Sequence, residues 1–270
     1  MWAYYTIFVV FCQFRTILRK CFFIYFDGFS FIIFFDILNM VIIVERKNLF
    51  KNIGHAVLIF LFFNYSWLFQ LIPIIGLNLD VEKLSDKSEV LLTCFASLMC
   101  GIVLFFIYKN DIIEEFKKFK NKFWDNFDVG VKYWFVGLLT MIGCNLLITK
   151  VFSGGGAANE DAVQGMISAL PFVMLINAGF LAPWCEELVF RKSIKKIFNN
   201  KWLYVLVSGV LFGLAHVLGQ TSTWTDWLYM LSYGGLGAAF AASYYDTDTV
   251  FTPILFHTLH NVVLIIISII

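Results

Sequence analysis

Residues 186–191 read Glu-Glu-Leu-Val-Phe-Arg in a chain otherwise built from apolar side chains. A charge inside a bilayer costs about 2.5–3.5 kcal/mol on insertion scales, so two adjacent carboxylates and an arginine there imply a use. Two more polar islands follow: Phe212-Gly-Leu-Ala-His216, and His257-Thr-Leu-His260-Asn261 inside the last apolar stretch. In a helix Glu187 and Arg191 are four apart and can neutralise each other. Glu186 lies about 100° away around the helix and is left without that partner, which suits a general base. Phe212 and His216 share a face, as do His257 and Asn261. Glu, His, His and Asn from three apolar segments suggest a buried catalytic site. Each island alone also has a plainer reading. The acids could be an interfacial pair beside a basic loop, and His216 a buried histidine bonded to a carbonyl.

The elements that must carry these residues are membrane helices. The chain has 270 residues, 60% hydrophobic and only 14% charged, with a mean hydropathy of +0.80. A soluble domain carries about 25% charge. The net charge of +1 and basic residues spread between apolar segments argue against a nucleic-acid partner. The expected fold is all-α, a polytopic transmembrane bundle of about seven to eight spans. A span needs about 20 mostly apolar residues; candidates lie near 54–76, 89–108, 133–152, 166–182, 202–218, 227–244 and 250–270, with a weaker one at 29–44. Residues 1–39 form a broken apolar extension or extra span, and translation starting at Met40 is one explanation of it. Residues 40–160 read as a scaffold and 161–270 as the catalytic core. The six cysteines form no CxxC pair, so neither disulfides nor a cysteine metal site is expected.

Lysine and arginine gather at 46–51, 109–132 and 191–201. Counting spans from Met40 places all three on one side, the cytoplasm by the positive-inside rule, and favours access from that side. Residues 111–124 read as an amphipathic interfacial helix or a solvated connector. Pro183 fits the first turn of a helix, which would place Glu186 and Glu187 at its positive end. Gly209 and Gly213 allow another helix close, and the Gly/Ala-rich stretch 234–242 reads as tight packing, with a substrate groove as the lesser alternative. His55 is expected at the interface, and Asp226, Asp246 and Asp248 in solvated connections. If the chain turns near Asn199-Asn200, Glu186 and His216 both lie about 20–24 Å from the turn, at similar height.

Glu186-Glu187-x-x-x-Arg191, Phe212-x-x-x-His216 and His257-x-x-x-Asn261, in that order and in apolar surroundings, resemble the CAAX-protease and bacteriocin-processing (Abi) family of intramembrane proteases. The resemblance covers about residues 165–265. It implies that Glu186 and His216 activate a water for attack on a peptide carbonyl and that His257 and Asn261 stabilise the oxyanion. Glu187, Arg191 and Phe212 would support them, and His260 has no assigned role. A zinc ion held by Glu186, His216 and His257 and a metal-free glutamate mechanism are both compatible; catalytic zinc uses three protein ligands and a water, but no HExxH is present. The expected protein is a membrane-embedded endopeptidase of a multi-pass bacterial membrane. It would act on a hydrophobic or lipid-anchored peptide among membrane lipids, in bacteriocin or pheromone processing or in self-immunity. The alternatives are a non-catalytic immunity or adaptor protein, and a proton-coupled transporter, for which inverted repeats are missing from the sequence.

Overall fold

The computed structural model describes residues 46–152, 156–219, 221 and 223–269, all helix and connection with no strand among them. The helices are α1 (Arg46–Asn64), α2 (Leu71–Gly76), α3 (Asp86–Asn121), α4 (Phe123–Val151), α5 (Ala158–Ala169), α6 (Pro171–Lys195), α7 (Lys201–Val217), α8 (Tyr229–Thr247) and α9 (Phe251–Ile269). Each of the seven clear span candidates is occupied by helix. The weaker run at 29–44, the 1–39 extension and the Met40 start lie outside the described residues. The chain is an integral membrane protein. Four helices (α3, α4, α6 and α9) are long and apolar enough to cross a bilayer unaided, and the pair Leu49–Asn64 and Ser66–Gly76, bent by 43°, could supply a fifth. α7 has 17 residues, and α8 is rich in glycine, alanine and serine and buried along much of its length. Helices enclosed by other helices need less apolar surface than those facing lipid.

Local chemistry sets the helix ends. The Ser85 hydroxyl accepts from the Ser88 amide to open α3, and the Asn200 side chain accepts from the Leu203 amide to open α7. Each satisfies an amide that has no partner inside the helix. The turn therefore lies where Asn199-Asn200 suggests. α8 ends at Asp248 in the left-handed region, at φ 52°.

Residues 111–121 are not a separate interfacial helix. They continue α3, whose 36 residues span about 54 Å at 1.5 Å each, well beyond a hydrocarbon core of about 30 Å. This extension is fixed by burial rather than by a lipid surface. Ile112 and Glu115 are buried, and the Glu115 carboxylate accepts from Lys192 Nζ (2.5 Å), Tyr244 Oη (3.0 Å) and the Val250 amide (2.8 Å). One carboxylate thus ties α3 to α6, α8 and the start of α9. Around it, Lys196 pairs with Asp111, Lys195 and Lys118 with Asp248, and Lys201 with Asp246. Asp246 and Asp248 are therefore ion-paired rather than simply solvated. Asn52 donates to the Lys196 carbonyl at 2.8 Å, and His55 Nε2 meets Tyr108 Oη at 2.9 Å. The three basic segments share one end of the bundle.

At the centre, α8 packs against α7 and α4. A Cβ on Gly209 would come within 2.7 Å of the Gly234 carbonyl, and one on Gly213 would collide with the Met230 carbonyl. On the other side of α8, a Cβ on Gly235 would lie 2.6 Å from Thr140 and one on Gly137 2.8 Å from Ala239. The small residues of α8 are used for helix contact.

Candidate active site

α6, α7 and α9 supply the three polar islands. α6 does not begin at Pro183. It runs unbroken from Pro171 to Lys195 as one span, with wider π-type turns at Asn177–Leu181 and Leu188–Lys192. A proline inside a helix lacks an amide and crowds the carbonyl four residues back, here that of Gly179. The first π turn widens the helix at that point. Glu186 and Glu187 therefore lie in mid-span, between two π turns, and not at a helix N-terminus. Such turns are common at functional sites.

Glu187 and Arg191 are fully buried. Their Oε2 and Nε atoms are 3.0 Å apart, an ion pair without hydrogen-bond alignment, and Arg191 Nη2 donates to Glu187 Oε1 at 3.1 Å. The guanidinium also lies 4.5 Å over the Phe212 ring and reaches Ser208 Oγ at 3.5 Å. Phe212 is thus the floor on which the cation rests. Glu187 Oε1 lies 2.8 Å from His257 Nδ1. A carboxylate only accepts, so Nδ1 carries the proton and the His257 ring is fixed. Its other nitrogen, Nε2, lies 3.6 Å from Glu186 Oε2. Phe240 stacks on the His257 ring at 4.9 Å. The Glu186 side chain keeps 16% of its surface exposed while Glu187 keeps none. The two neighbours thus divide into a reachable carboxylate and a sealed one.

His216 Nδ1 is 2.8 Å from the Phe212 carbonyl. The carbonyl accepts, so Nδ1 carries the proton and Nε2 keeps its lone pair. The plainer reading of His216 as a carbonyl-bonded histidine is correct for one nitrogen and leaves the other usable. The ionisable side chains around His216 are those of Glu186, His257 and Arg191. Its ring stacks on Tyr233 at 4.6 Å and touches Phe212 at 4.3 Å. Asn261 Nδ2 donates to the Ala178 carbonyl, in the first π turn, at 2.8 Å, which leaves its second N–H uncommitted. His260 is buried on the same helix.

The fold thus joins Glu186, Glu187, Arg191, Phe212 and His257 by direct contact and sets His216 among them. It ties Asn261 to α6. A space of about 10 Å³, the size of one water, is walled by Ala157, Asn159, His216, Val217, Thr221, Asp226, Tyr229 and Tyr233. His216 is the one candidate among them. This space lies at the end of α7 remote from the basic connections. The reason is geometric: α7 starts at the basic end, and His216 is its sixteenth residue.

Among the described residues, no three His, Cys, Asp or Glu side chains stand where they could hold a metal ion together. Nδ1 of His257 is held by Glu187 and Nδ1 of His216 by a carbonyl, which leaves Nε2 of each ring as the atom that a metal would bind.

Sequence reasoning missed Tyr233, Phe240, Ser208 and Glu115. Two aromatic residues in the Gly/Ala-rich α8 were the available signal for the first pair. Ser208, one turn before Phe212, was the signal for the third.

Residues 168–263 match the family model described as type II CAAX prenyl endopeptidase Rce1-like. The chain is 30% identical over 116 residues to "Putative membrane peptidase YdiL" of Bacillus subtilis (strain 168), covering 42% of this chain and 44% of that protein. It is 30% identical over 132 residues to an uncharacterized protein of Mycoplasma capricolum, covering 46% and 39%. The chain spans less than half the length of these curated relatives. No solved structure matches it significantly.

Proposed function

We propose that this chain, whose residues 168–263 match the family model described as type II CAAX prenyl endopeptidase Rce1-like, is an intramembrane endopeptidase that hydrolyses a peptide bond in a hydrophobic or lipid-anchored peptide. The observation that carries the reading is the contact chain Glu186–His257–Glu187–Arg191, with His216 beside it. It costs a membrane protein several buried charges and ends on a carboxylate that keeps part of its surface exposed.

Glu186, with the lone pair of His216 Nε2 nearby, takes a proton from water as the water oxygen attacks the peptide carbonyl carbon. The carbonyl oxygen becomes an oxyanion. His257, whose ring lies between Glu186 and Glu187, and the free N–H of Asn261 stabilise it. The proton held by Glu186 then passes to the leaving nitrogen. The C–N bond breaks, giving a carboxylic acid and an amine, and the acid then gives up its proton to solvent. Glu187, itself paired with Arg191, holds the His257 ring in place. No step of this scheme is routed through a metal. Within this reading, residues 161–270 are the catalytic core and 40–160 the scaffold. Processing of a bacterial peptide pheromone or bacteriocin, in a bacterial membrane, is the setting we propose.

The test is cleavage of a library of lipid-anchored peptides by purified protein in vesicles. Wild type is run beside Glu186→Gln and His216→Ala, with and without a chelator. Loss of cleavage in both variants, with the chelator without effect, is expected. Cleavage by both variants at the wild-type rate sinks the peptidase reading, and loss with chelator restores the metal.

A further inference from the structure

Hydrolysis consumes one water per bond, and a bundle this apolar must admit that water somewhere. The water-sized space beside His216 is walled by polar groups from three separate segments: Asn159 of α5, Thr221 and Asp226 of the connection, and Tyr229 and Tyr233 of α8. A water is held where two to four polar partners surround it. The Tyr233 hydroxyl is the notable one. It is shielded from solvent and makes no hydrogen bond of normal geometry, although Asn159 stands beside it. A buried hydroxyl left without a partner is costly and calls for a ligand. The ring of the same residue lies nearly parallel to His216, 24° between planes. His216 Nδ1 is turned back onto the Phe212 carbonyl, so Nε2 is the nitrogen free to meet water.

We propose that Tyr233 is a further catalytic residue, whose hydroxyl holds the hydrolytic water against His216, and that the space beside it is the port through which this water enters. The port opens at the end of the bundle away from the basic connections. The inference rests on the peptidase reading above. The Tyr233 ring orients the imidazole, and the hydroxyl supplies a hydrogen bond to that water.

Tyr233→Phe keeps the ring and deletes the hydroxyl, while Tyr233→Leu removes both. With the best-cleaved lipid-anchored peptide of the library, Tyr233→Phe lowers kcat by roughly tenfold or more, in the range of a lost catalytic hydrogen bond. KM and thermal stability stay at the wild-type level. Tyr233→Leu lowers kcat further and shifts the pH profile of kcat/KM, because the imidazole loses its stacked neighbour. A wild-type kcat in Tyr233→Phe overturns the assignment. Glu186→Gln in the same assay separates the two claims. An inactive Glu186→Gln beside a fully active Tyr233→Phe defeats the Tyr233 assignment alone, and a fully active Glu186→Gln defeats both.

A second measurement needs no substrate. Thr221→Cys places a thiol at the port, and a membrane-impermeant thiol reagent then plugs it. Acylation of His216 by diethyl pyrocarbonate, read by mass spectrometry, is expected to slow several-fold in plugged Thr221→Cys relative to reagent-treated wild type. An unchanged rate overturns the port.

Discussion

Replacing Glu187 and Arg191 singly and together separates what the buried pair does for folding from what it does for His257. Both side chains are completely buried. Glu187→Met leaves the guanidinium with only Ser208 Oγ, at 3.5 Å, and the Phe212 face. Arg191→Met leaves the carboxylate with only His257. Removing one partner of a buried pair costs about 3–5 kcal/mol, because the other charge stays desolvated and unpaired. At about 2–4 °C per kcal/mol for a chain of this size, each single variant should melt roughly 6–20 °C below wild type in detergent. The double variant Glu187→Met/Arg191→Met replaces the pair by apolar side chains of comparable length, a change that is often neutral or stabilising. Its melting temperature should return to near wild type. Its peptide cleavage should not return, because His257 Nδ1 has lost the acceptor 2.8 Å away and with it the fixed orientation of Nε2. A loss of about 10²–10³ in rate is expected, the usual cost of a missing oxyanion donor. The assay is thermal denaturation and cleavage on the same four preparations. Destabilisations that simply add in the double variant would refute the pairing argument. A double variant that cleaves like wild type would refute the role of Glu187 in holding His257.

The remaining expectations concern chemistry, packing and charge. Glu186→Gln should lower cleavage by about 10²–10⁴, the range for a general base, with little change in melting temperature because its side chain is partly exposed. Asn261→Ala should reduce kcat by about 10²–10³ and cost roughly 1 kcal/mol of stability for the bond to Ala178, read by kinetics and thermal melts. Gly209→Ala should destabilise by about 1–3 kcal/mol through overpacking, since its Cβ would lie 2.7 Å from the Gly234 carbonyl; Gly143→Ala, with nothing within 4 Å, is the control. Asp248 sits outside the spans. Burial pushes its carboxyl up, but Lys195 and Lys118 together hold it below its ordinary value of 3.8. A folded-state value below the unfolded one gives stability that is present above pH 3.8 and lost as pH falls through the lower folded-state value. Asp248→Asn, which keeps the left-handed backbone comfortable, should therefore melt slightly below wild type at pH 7 and low salt. That gap should close under acid or high salt.

Much of the positioning was legible because it is local. A four-residue spacing is one helical turn whatever the surroundings, so Glu187 with Arg191 and Phe212 with His216 could be placed on shared faces from the sequence. The turn at Asn199-Asn200 was legible from the asparagine that caps α7. The close approach at Gly209 and Gly213 follows from their lack of side chains. Pro183 misled because the usual consequence of proline, a helix start, was avoided by a π turn that no local pattern announces. Residues 111–121 misled for a related reason. Their amphipathic pattern fits a lipid interface or a protein one equally, and the burial of Glu115 against Lys192, Tyr244 and the Val250 amide decided between them.

The sequence by itself determined that this is a helical membrane protein and which polar residues it keeps among apolar ones, because hydropathy and helical period act over short stretches of chain. It also determined which residues share a helix face. Only the tertiary structure decided that Glu187 is sealed while Glu186 stays reachable, that His257 joins the two, and that Tyr233 lies against His216. Those facts depend on how α6, α7, α8 and α9 rotate and slide against one another. That is set by contacts between residues far apart in the chain, such as Glu187 and His257, 70 positions from each other, on which spacing along the chain carries no information.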